Sequence, residues 1–268
     1  MLDIIIGEKL NSSIKSTYNA MINFDETFII KSITDQENAG ADYIDVNTAV
    51  TENELDIMLK IVDLIINNSK CGISIDSPDT NVVSKTAEYI FSKGRKFIIN
   101  SVTLTERIDE MIPVVLKYNC KIIAMPIAVY GAPLNVDERF TNAELIIEKF
   151  ISGGVDTDNI IIDTVVESLL TNERSAYVTC ETLQKLKEKY PQIKTICGIS
   201  NISFGLPNRS DINAAFLSLV IHNGLDCAIY DVNAPENRSA VYLANLLSGD
   251  DEYCIEYINY TRDKKNPG

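Results

Sequence analysis

Short runs of apolar, mostly β-branched residues alternate along the chain with longer segments whose apolar residues recur every three to four positions. The short runs favour extended backbone, and the longer segments form one apolar face of a helix. Eight runs are predicted strands: IIIG at 4–7, YIDVN at 43–47, GISID at 72–76, KFIIN at 96–100, KIIAMP at 121–126, NIIID at 159–163, KTICGIS at 194–200 and CAIYD at 227–231. Strands that alternate with helices are typical of parallel βα units.

Two of the helical segments carry clear end signals. In the first, Gly94 follows the apolar stripe, where a C-terminal cap belongs; the stripe consists of Val82, Val83, Thr86, Ala87, Ile90 and Phe91. The second begins at the capping candidate Ser210 and stops at Gly224. Eight such units predict an α/β fold, a closed (β/α)₈ TIM barrel. No glycine-rich nucleotide motif or linker segment indicates a doubly wound sheet or a second domain, so one domain is predicted over 1–268.

Composition narrows the classes of partner. The formal net charge of −14 disfavours nucleic acid, because phosphate binding needs clustered Lys and Arg. The longest apolar run, AAFLSLVI at 214–221, is far shorter than the roughly 20 residues of a membrane helix. The opening MLDIIIGEKL has no basic region of a signal peptide. We therefore expect a cytoplasmic protein with no membrane partner.

Cysteine and histidine, the residue types that most often bind transition metals, are scattered along the sequence. Six cysteines contain no CxxC pair, and the chain has one histidine, His222. This predicts reduced, mostly buried thiols and no metal site. His222 precedes the predicted helix stop, where a helix-end role is favoured over catalysis.

Polar residues follow the predicted strands. They are Glu8, Asn11, Asp45, Asn47, Asp76, Asn100, Asp163, Ser200, Asn201, Asp231 and Asn233. Any one of them is more often a turn or cap residue. The active site of a TIM barrel lies at the carboxyl ends of its strands, however, so closure brings them to one rim.

The chemistry of this rim is that of carboxylates and carboxamides. It has no nucleophile beside a base and no transition-metal ligand set. Carboxylates could hold Mg²⁺, but the interleaved amides fit better a flat heterocycle with an edge of alternating donors and acceptors.

The motifs resemble those of the methyltetrahydrofolate:corrinoid protein methyltransferases, which belong to the pterin-binding barrels together with dihydropteroate synthase. The segments that carry the resemblance are IGEKLNSS at 6–13, AGADYIDVN at 39–47, SIDSPD at 74–79, IINS at 98–101, IIIDTVV at 160–166, GISNISFGLPNR at 198–209 and DEYC at 251–254.

The resemblance implies roles for individual residues. Asp76, Asn100 and Asp163 would hold the pterin ring, Gly198 and Ser200 would shape its floor, and Asn201 would reach N5 and be catalytic. The supporting or rim positions would be Glu8, Asn11, Asp45, Asn47, Arg209 and Asp231, with Tyr130 as a further rim candidate. An amide at N5 can donate to the unprotonated nitrogen or accept from the protonated one. A turn-stabilising asparagine is the alternative for Asn201.

The implied reaction moves a methyl group between N5 of tetrahydrofolate and the cobalt of a corrinoid carried by a separate partner protein. A homodimer is also implied. Direction stays open, with a lean to tetrahydrofolate as acceptor in a demethylase system, because PIAVYGAP at 126–133 has Ala128 and Val129 where the family usually has acids. Dihydropteroate synthase is the alternative enzyme, although DVNTAV and GISNIS replace its Ser-Thr-Arg and Ser-Arg-Lys motifs. A non-catalytic folate-binding subunit is the other alternative.

Overall fold

Strands and helices alternate along the chain in a computed structural model that describes residues 2–129 and 131–265. The described strands are β1 Ile4–Asn11, β2 Tyr43–Asn47, β3 Gly72–Asp76, β4 Phe97–Thr103, β5 Lys121–Met125, β6 Ile160–Asp163, β7 Lys194–Gly198 and β8 Cys227–Tyr230. The described helices are α1 Lys15–Ile22, α2 Glu26–Asn38, α3 Glu54–Asn68, α4 Thr80–Ser92, α5 Ile108–Tyr118, α6 Val136–Ser152, α7 Ser175–Lys189, α8 Arg209–His222, α9 Pro235–Ser248 and α10 Ile255–Lys265. Tyr130, a predicted rim residue, lies outside the described residues.

The sheet closes on itself. Each strand pairs in parallel with the next one along the chain, and β8 pairs with β1. The predicted α/β class and TIM barrel are therefore confirmed.

The strands are nearly continuous apolar runs in the sequence because they lie between two apolar layers. Between sheet and helices lies the larger core, which includes Ile44, Ile73, Ile99 and Phe150. Inside the barrel a second cluster is formed by Ile4, Ile6, Tyr43, Ile98, Ile123, Ile161, Ile196 and Cys227. Each fully buried isoleucine contributes about 1.5–3 kcal/mol. Most of the inner cluster lies in the first half of each strand, which leaves the carboxyl ends for polar groups.

Three strand ends differ from prediction by more than one residue. β1 continues to Asn11 and β4 to Thr103, each through an irregularity in its register. Glu8 and Asn100 consequently lie within strands. β7 ends at Gly198, earlier than predicted, because residues 199–201 form a 3-10 turn closed by a hydrogen bond from Ile202 N to Ile199 O. Ser200 and Asn201 are thus carried by this turn.

The helix ends are partly as predicted. Gly94 and Gly224 follow α4 and α8 with φ of +68° and +93°, which confirms both stops. The predicted cap Ser210 is wrong. Asn208 precedes α8 in the left-handed conformation that asparagine tolerates, so the helix begins at Arg209 and Ser210 lies inside its first turn.

Phe91 is also wrong as a member of the buried stripe of α4. It lies one residue, about 100° around the helix, beyond the buried Ile90. Its exposed ring packs against Tyr118 of α5, with the ring centroids 4.9 Å apart.

The predicted environment of the cysteines is mostly confirmed. Five of the six are buried, and Cys254 is exposed. None of the described helices is both long enough and apolar enough to cross a membrane.

Candidate active site

Neighbouring strands place three polar residues in one row at their carboxyl ends. In the register of the sheet, Asn47 of β2 pairs with Asp76 of β3, and Asp76 pairs with Asn100 of β4. Parallel pairing of adjacent strands therefore brings together residues that are separated by more than twenty positions in the sequence.

Asn47 holds the carboxylate of Asp76. Its Nδ2 donates to Asp76 Oδ2 at 2.8 Å, and its Oδ1 accepts from Ser12 Oγ at 2.9 Å and from Ala49 N at 3.2 Å. These three bonds fix the orientation of the Asn47 amide. One oxygen of Asp76 is thereby held in place.

Asp45 lies behind this row and is almost fully buried, with 3% of its surface exposed. Its Oδ1 accepts from Ser74 Oγ at 2.6 Å and from Asn100 Nδ2 at 3.0 Å. Burial and the charge of Asp76 raise the pKa of Asp45 well above its ordinary value. The amide of Asn100 is oriented by this contact, so that its oxygen is left as an acceptor.

Arg107, which sequence reasoning missed, lies close enough to Asp76 for its charge to act on that carboxyl group. Its Nη1 donates to Ser77 O at 2.8 Å and its Nη2 donates to Ser101 O. Burial raises the pKa of Asp76, while Asn47 and the positive charge of Arg107 oppose that rise. Arg107 is a cation in the loop before α5, so a pattern of acids and amides at strand ends does not predict it.

Asp163 ends β6 and is held by its own backbone turn. Its Oδ1 accepts from Val165 N at 2.7 Å. Burial raises the pKa of Asp163 to about 6, although the charge of Arg139 acts in the opposite direction. The pKa of Asp163 is therefore higher than that of an ordinary aspartate, and within the described residues no hydrogen bond to its Oδ2 is present.

The loop after β6 is held by Arg139 of α6, which sequence reasoning also missed. Arg139 is fully buried and donates to Pro133 O at 2.6 Å, to Thr164 O at 3.1 Å, to Val165 O and to Glu167 Oε2 at 2.5 Å. The sequence does indicate that Arg139 is buried. It shares the apolar stripe of α6 with Ala143, Ile146 and Phe150, whereas an exposed arginine would lie on the opposite, polar face.

The turn after β7 forms the opposite side of the site. Ser200 Oγ donates to Glu8 Oε1 on β1, and Arg209 Nη2 donates to Ser200 O at 2.8 Å. Arg209 Nε also donates to Ser203 Oγ at 3.0 Å, so this predicted rim residue braces the turn. Burial, followed at smaller size by the charge of Asp231, raises the pKa of Glu8.

Asn201 lies at the exposed edge of the same turn. Within the described part of the chain, its side chain makes no hydrogen bond, and a methyl group built on Gly198 would lie 3.2 Å from its Nδ2. The missing side chain of Gly198 thus leaves room for an amide that is free to bind a ligand.

The remaining predicted positions are engaged locally. Asn11 Oδ1 accepts from Ser13 N at 2.8 Å, and Asp231 pairs with Lys9 at 2.6 Å. His222 ends α8 and bonds Ser248 Oγ through its ring at 3.1 Å, as a helix-end residue does. In the described ranges, no group of three or more His, Cys, Asp or Glu side chains could hold a metal ion.

Comparisons with known proteins agree with this architecture. Residues 7–231 match the family described as pterin binding enzyme. A methylcorrinoid:tetrahydrofolate methyltransferase of Eubacterium limosum is 30% identical over 98% of this chain and 97% of its own length. A methionine synthase of Mycobacterium tuberculosis is 28% identical over 88% of this chain, which spans 21% of that longer protein.

Two solved structures share the fold. A dihydropteroate synthase of Coxiella burnetii in complex with pteroic acid has a TM-score of 0.69 at 16% identity, over 93% of this chain and 94% of that one. A Yersinia pestis dihydropteroate synthase with a pterine-sulfa conjugate has a TM-score of 0.69 at 15% identity, over 92% and 95%.

A closed parallel barrel with carboxylates and carboxamides at its mouth suits a flat heterocycle with hydrogen-bonding edges. The chain belongs to the pterin-binding enzymes and, among them, to the methyltetrahydrofolate:corrinoid protein methyltransferase family that its motifs resemble.

Proposed function

We propose that this enzyme moves a methyl group between N5 of tetrahydrofolate and the cobalt of a corrinoid bound to a separate protein. One observation carries the proposal: a fixed set of acceptors, made by Asp76, Asn100 and Asp163, shares the barrel mouth with the unengaged amide of Asn201. The near full-length similarity to the Eubacterium limosum enzyme supports it.

The acceptors suit the amino-pyrimidinone edge of a pterin. Asn47 Nδ2 donates to one carboxylate oxygen of Asp76, and the backbone N–H of Val165 donates to one carboxylate oxygen of Asp163. An ionised carboxylate accepts strong hydrogen bonds from N–H groups, and the amide of Asn100 can both donate and accept. In this proposal these three residues bind and orient the ring, as the resemblance implies.

Methyl transfer needs help mainly at the leaving group. The electron pair of Co(I) forms the new cobalt–carbon bond, and the pair of the broken carbon–nitrogen bond stays on N5. Unassisted, N5 would leave as an unstable anion, so a hydrogen bond or a proton at N5 lowers the barrier. The Asn201 amide can donate to N5 before proton transfer and accept from N5–H afterwards. In the reverse direction the same contacts serve in reverse order.

A protein partner has a suitable surface at the mouth. The loops after β2, β5, β6 and β7 expose large apolar side chains, namely Val50, Val129, Leu134, Leu170 and Phe204. Leu170 and Phe204 are 64% and 69% exposed. Exposed apolar residues that gather on one face favour a protein contact. A docked corrinoid protein would bring its cobalt to the exposed Asn201.

Three finer features belong to this proposal. Tetrahydrofolate is the methyl acceptor, as the name of the Eubacterium limosum relative states for that enzyme. The apolar Ala128 and Val129 suit the corrinoid protein of a demethylase system. The protein acts in the cytoplasm. It forms a homodimer, which the resemblance implies and sedimentation would test.

Dihydropteroate synthase is the alternative enzyme, and the sequence supports it less well. The loop after β2 reads DVNTAV, and the turn after β7 reads GISNIS, so the arginine and lysine positions of that enzyme are absent from these segments. Ser200 and Asn201 occupy the second segment instead.

The test uses free cobalamin in place of the partner. Calorimetry measures binding of methyltetrahydrofolate, and absorbance follows conversion of cob(I)alamin to methylcobalamin, then the reverse reaction with tetrahydrofolate. Binding together with turnover in both directions supports the proposal. Binding without turnover, also with a purified corrinoid protein, favours the folate-binding subunit; no binding overturns the proposed function.

A further inference from the structure

We infer that Arg107 is a positioning residue of the pterin site: its guanidinium joins the backbone next to Asp76 to the backbone next to Asn100 and so fixes the spacing of these two side chains. The inference rests on the proposed function for its ligand. The link between the two segments is a property of the free protein and can be tested separately.

The two carbonyls that Arg107 holds belong to the residues directly after Asp76 and Asn100. Its Nη1 donates to Ser77 O at 2.8 Å, and its Nη2 donates to Ser101 O. A guanidinium presents its N–H donors in a rigid plane, so two acceptors that are bound by different nitrogens are held at a fixed spacing. One side chain therefore links the carboxyl ends of two neighbouring strands.

Arg107 acts where β4 departs from regular pairing. On one side of β4, Asp76 lies opposite Asn100, and Ser77 N donates to Asn100 O at 3.3 Å. On the other side, the register of β4 against β5 shifts between Asn100 and Val102. The contact of Arg107 with Ser101 O holds the backbone of β4 at this irregular point.

A short turn brings Arg107 back to the strand ends. Thr103 N donates to Glu106 O, and Glu106 N donates to Thr103 O, both at 3.3 Å. Arg107 follows this turn with a φ of +66°, a left-handed conformation that residues other than glycine seldom adopt. Its side chain is partly buried, and its hydrogen bonds to the two carbonyls are of the stronger, charge-assisted kind. These bonds stabilise Arg107 in this conformation.

The charge of Arg107 adds to the effect of the link. It acts against burial and lowers the pKa of Asp76, which favours the ionised carboxylate that accepts N–H donors. Three further carboxylates also act on Arg107, namely Asp79, Glu106 and Glu110. Arg107 influences a ligand through Asp76 and Asn100, without needing to contact the pterin.

Substitution of Arg107 should weaken folate binding. Arg107→Met removes the charge and both donors, and we expect the dissociation constant for methyltetrahydrofolate, measured by calorimetry, to rise by about tenfold or more. Arg107→Lys keeps the charge without the planar fork, so a rise of about threefold is expected. Arg174 is exposed and directly precedes α7, as Arg107 precedes α5. Arg174→Met is therefore the matched control and should stay within about twofold of the wild type.

A double-mutant cycle separates positioning from a general loss of structure. In an Asn100→Ala background, Arg107→Met should cost only about threefold, because the position of the Asn100 amide no longer affects binding. If Arg107→Met does not fold, Arg107→Lys takes its place in the cycle and should again cost less in that background. Equal factors in the two backgrounds, or wild-type affinity in both Arg107 variants, would overturn the inference.

Hydrogen exchange in the ligand-free protein measures the link itself. Backbone amides at 77–79 and 101–103 should exchange faster in Arg107→Met than in the wild type, and Arg174→Met should match the wild type. Equal exchange in Arg107→Met and the wild type would overturn the inference. A wild type that binds no folate would overturn the proposed function, and the exchange rates would still decide whether Arg107 joins the two segments.

Discussion

The guanidinium of Arg139 and the carboxylate of Glu167 meet at 2.5 Å, and Arg139 has no exposed surface. The same guanidinium donates to the carbonyls of Thr164 and Val165, so α6 holds the backbone that follows Asp163. Val165 has a φ of +55°, a conformation that a β-branched residue rarely adopts. A buried cation therefore stabilises a loop conformation next to a predicted pterin ligand.

Removal of this cation should be costly. Arg139→Met is expected to lower the free energy of unfolding by about 3–5 kcal/mol, because Glu167 and the carbonyls lose their charged donor. Urea denaturation measures the difference. Lys149→Met is the control, since Lys149 pairs with the exposed Asp109 and should cost only about 0–1 kcal/mol. A loss of less than 1 kcal/mol in Arg139→Met would show that the loop is held by other contacts.

Folate binding should depend on the protonation of Asp163. Its pKa is raised to about 6 by burial, so acidification below that value removes the charge that accepts N–H donors from the pterin. The dissociation constant should rise by about tenfold for each pH unit below the transition. Calorimetry across this range checks the slope, and Asp163→Asn should bind weakly with a flattened profile. The same pH dependence in Asp163→Asn would contradict the assignment.

The free energy of unfolding of the ligand-free protein should fall as Asp163 ionises, whereas folate binding should strengthen. A carboxyl whose folded pKa lies above its unfolded value stabilises the fold most when protonated. Its contribution is fully present below the ordinary value of 3.8 and is lost as the pH rises through about 6. Asp163→Asn should therefore gain stability relative to the wild type between these two values, in thermal or urea unfolding. A constant difference across the window would refute the linkage.

Asn201→Ala should impair chemistry without unfolding the protein. Loss of an oriented donor at a reacting atom costs about 2.7–4 kcal/mol, so methyl transfer should slow by about a hundredfold or more, with weaker pterin binding. Thermal unfolding should stay unchanged, because the side chain is exposed. Asn68→Ala, on the exposed end of α3, is the control. Unchanged kinetics in Asn201→Ala would remove this residue from the mechanism.

Gly198→Ala tests the position of that amide. The added methyl group would lie 3.2 Å from Asn201 Nδ2 and would shift it by a few tenths of an ångström. Because Asn201 can move into solvent, we expect little change in stability. Methyl transfer should slow by about tenfold, since small displacements at a reacting atom reduce the rate. A double variant with Asn201→Ala should be no slower than Asn201→Ala alone; additive losses would indicate separate effects.

The sequence supports prediction of the barrel because each strand is buried on both faces. Ile73 and Ile75 face one apolar layer while Ser74 faces the interior, and the neighbouring helices show helical spacing. Strand ends were less accurate where the backbone departs from regular geometry. The register shift near Asn100 depends on pairing with β5, and Ser200 in the turn at Ile199–Asn201 donates to Glu8 of β1; local patterns contain neither contact.

The candidate site, like the fold, can be predicted from the sequence only in part. Asp76, Asn100 and Asp163 were predicted because polar residues at strand ends converge once the sheet closes. The residues that hold the site in place are harder to predict from the sequence. Ser12 and Asn47 meet only after β1 and β2 pair, and the contact between Arg139 and Glu167 links α6 to a loop 28 residues further along the chain. The roles of these residues toward a ligand stay predictions.

The row formed by Asn47, Asp76 and Asn100 also affects how the barrel assembles. A shift of β3 by one position relative to β2 would put Ser77 or Ile75 opposite Asn47, and it would turn side chains of the apolar core toward the opposite face. The hydrogen bond between Asn47 and Asp76 forms only when the strands are correctly aligned. The residues that line the mouth therefore favour the native strand alignment over one shifted by a residue.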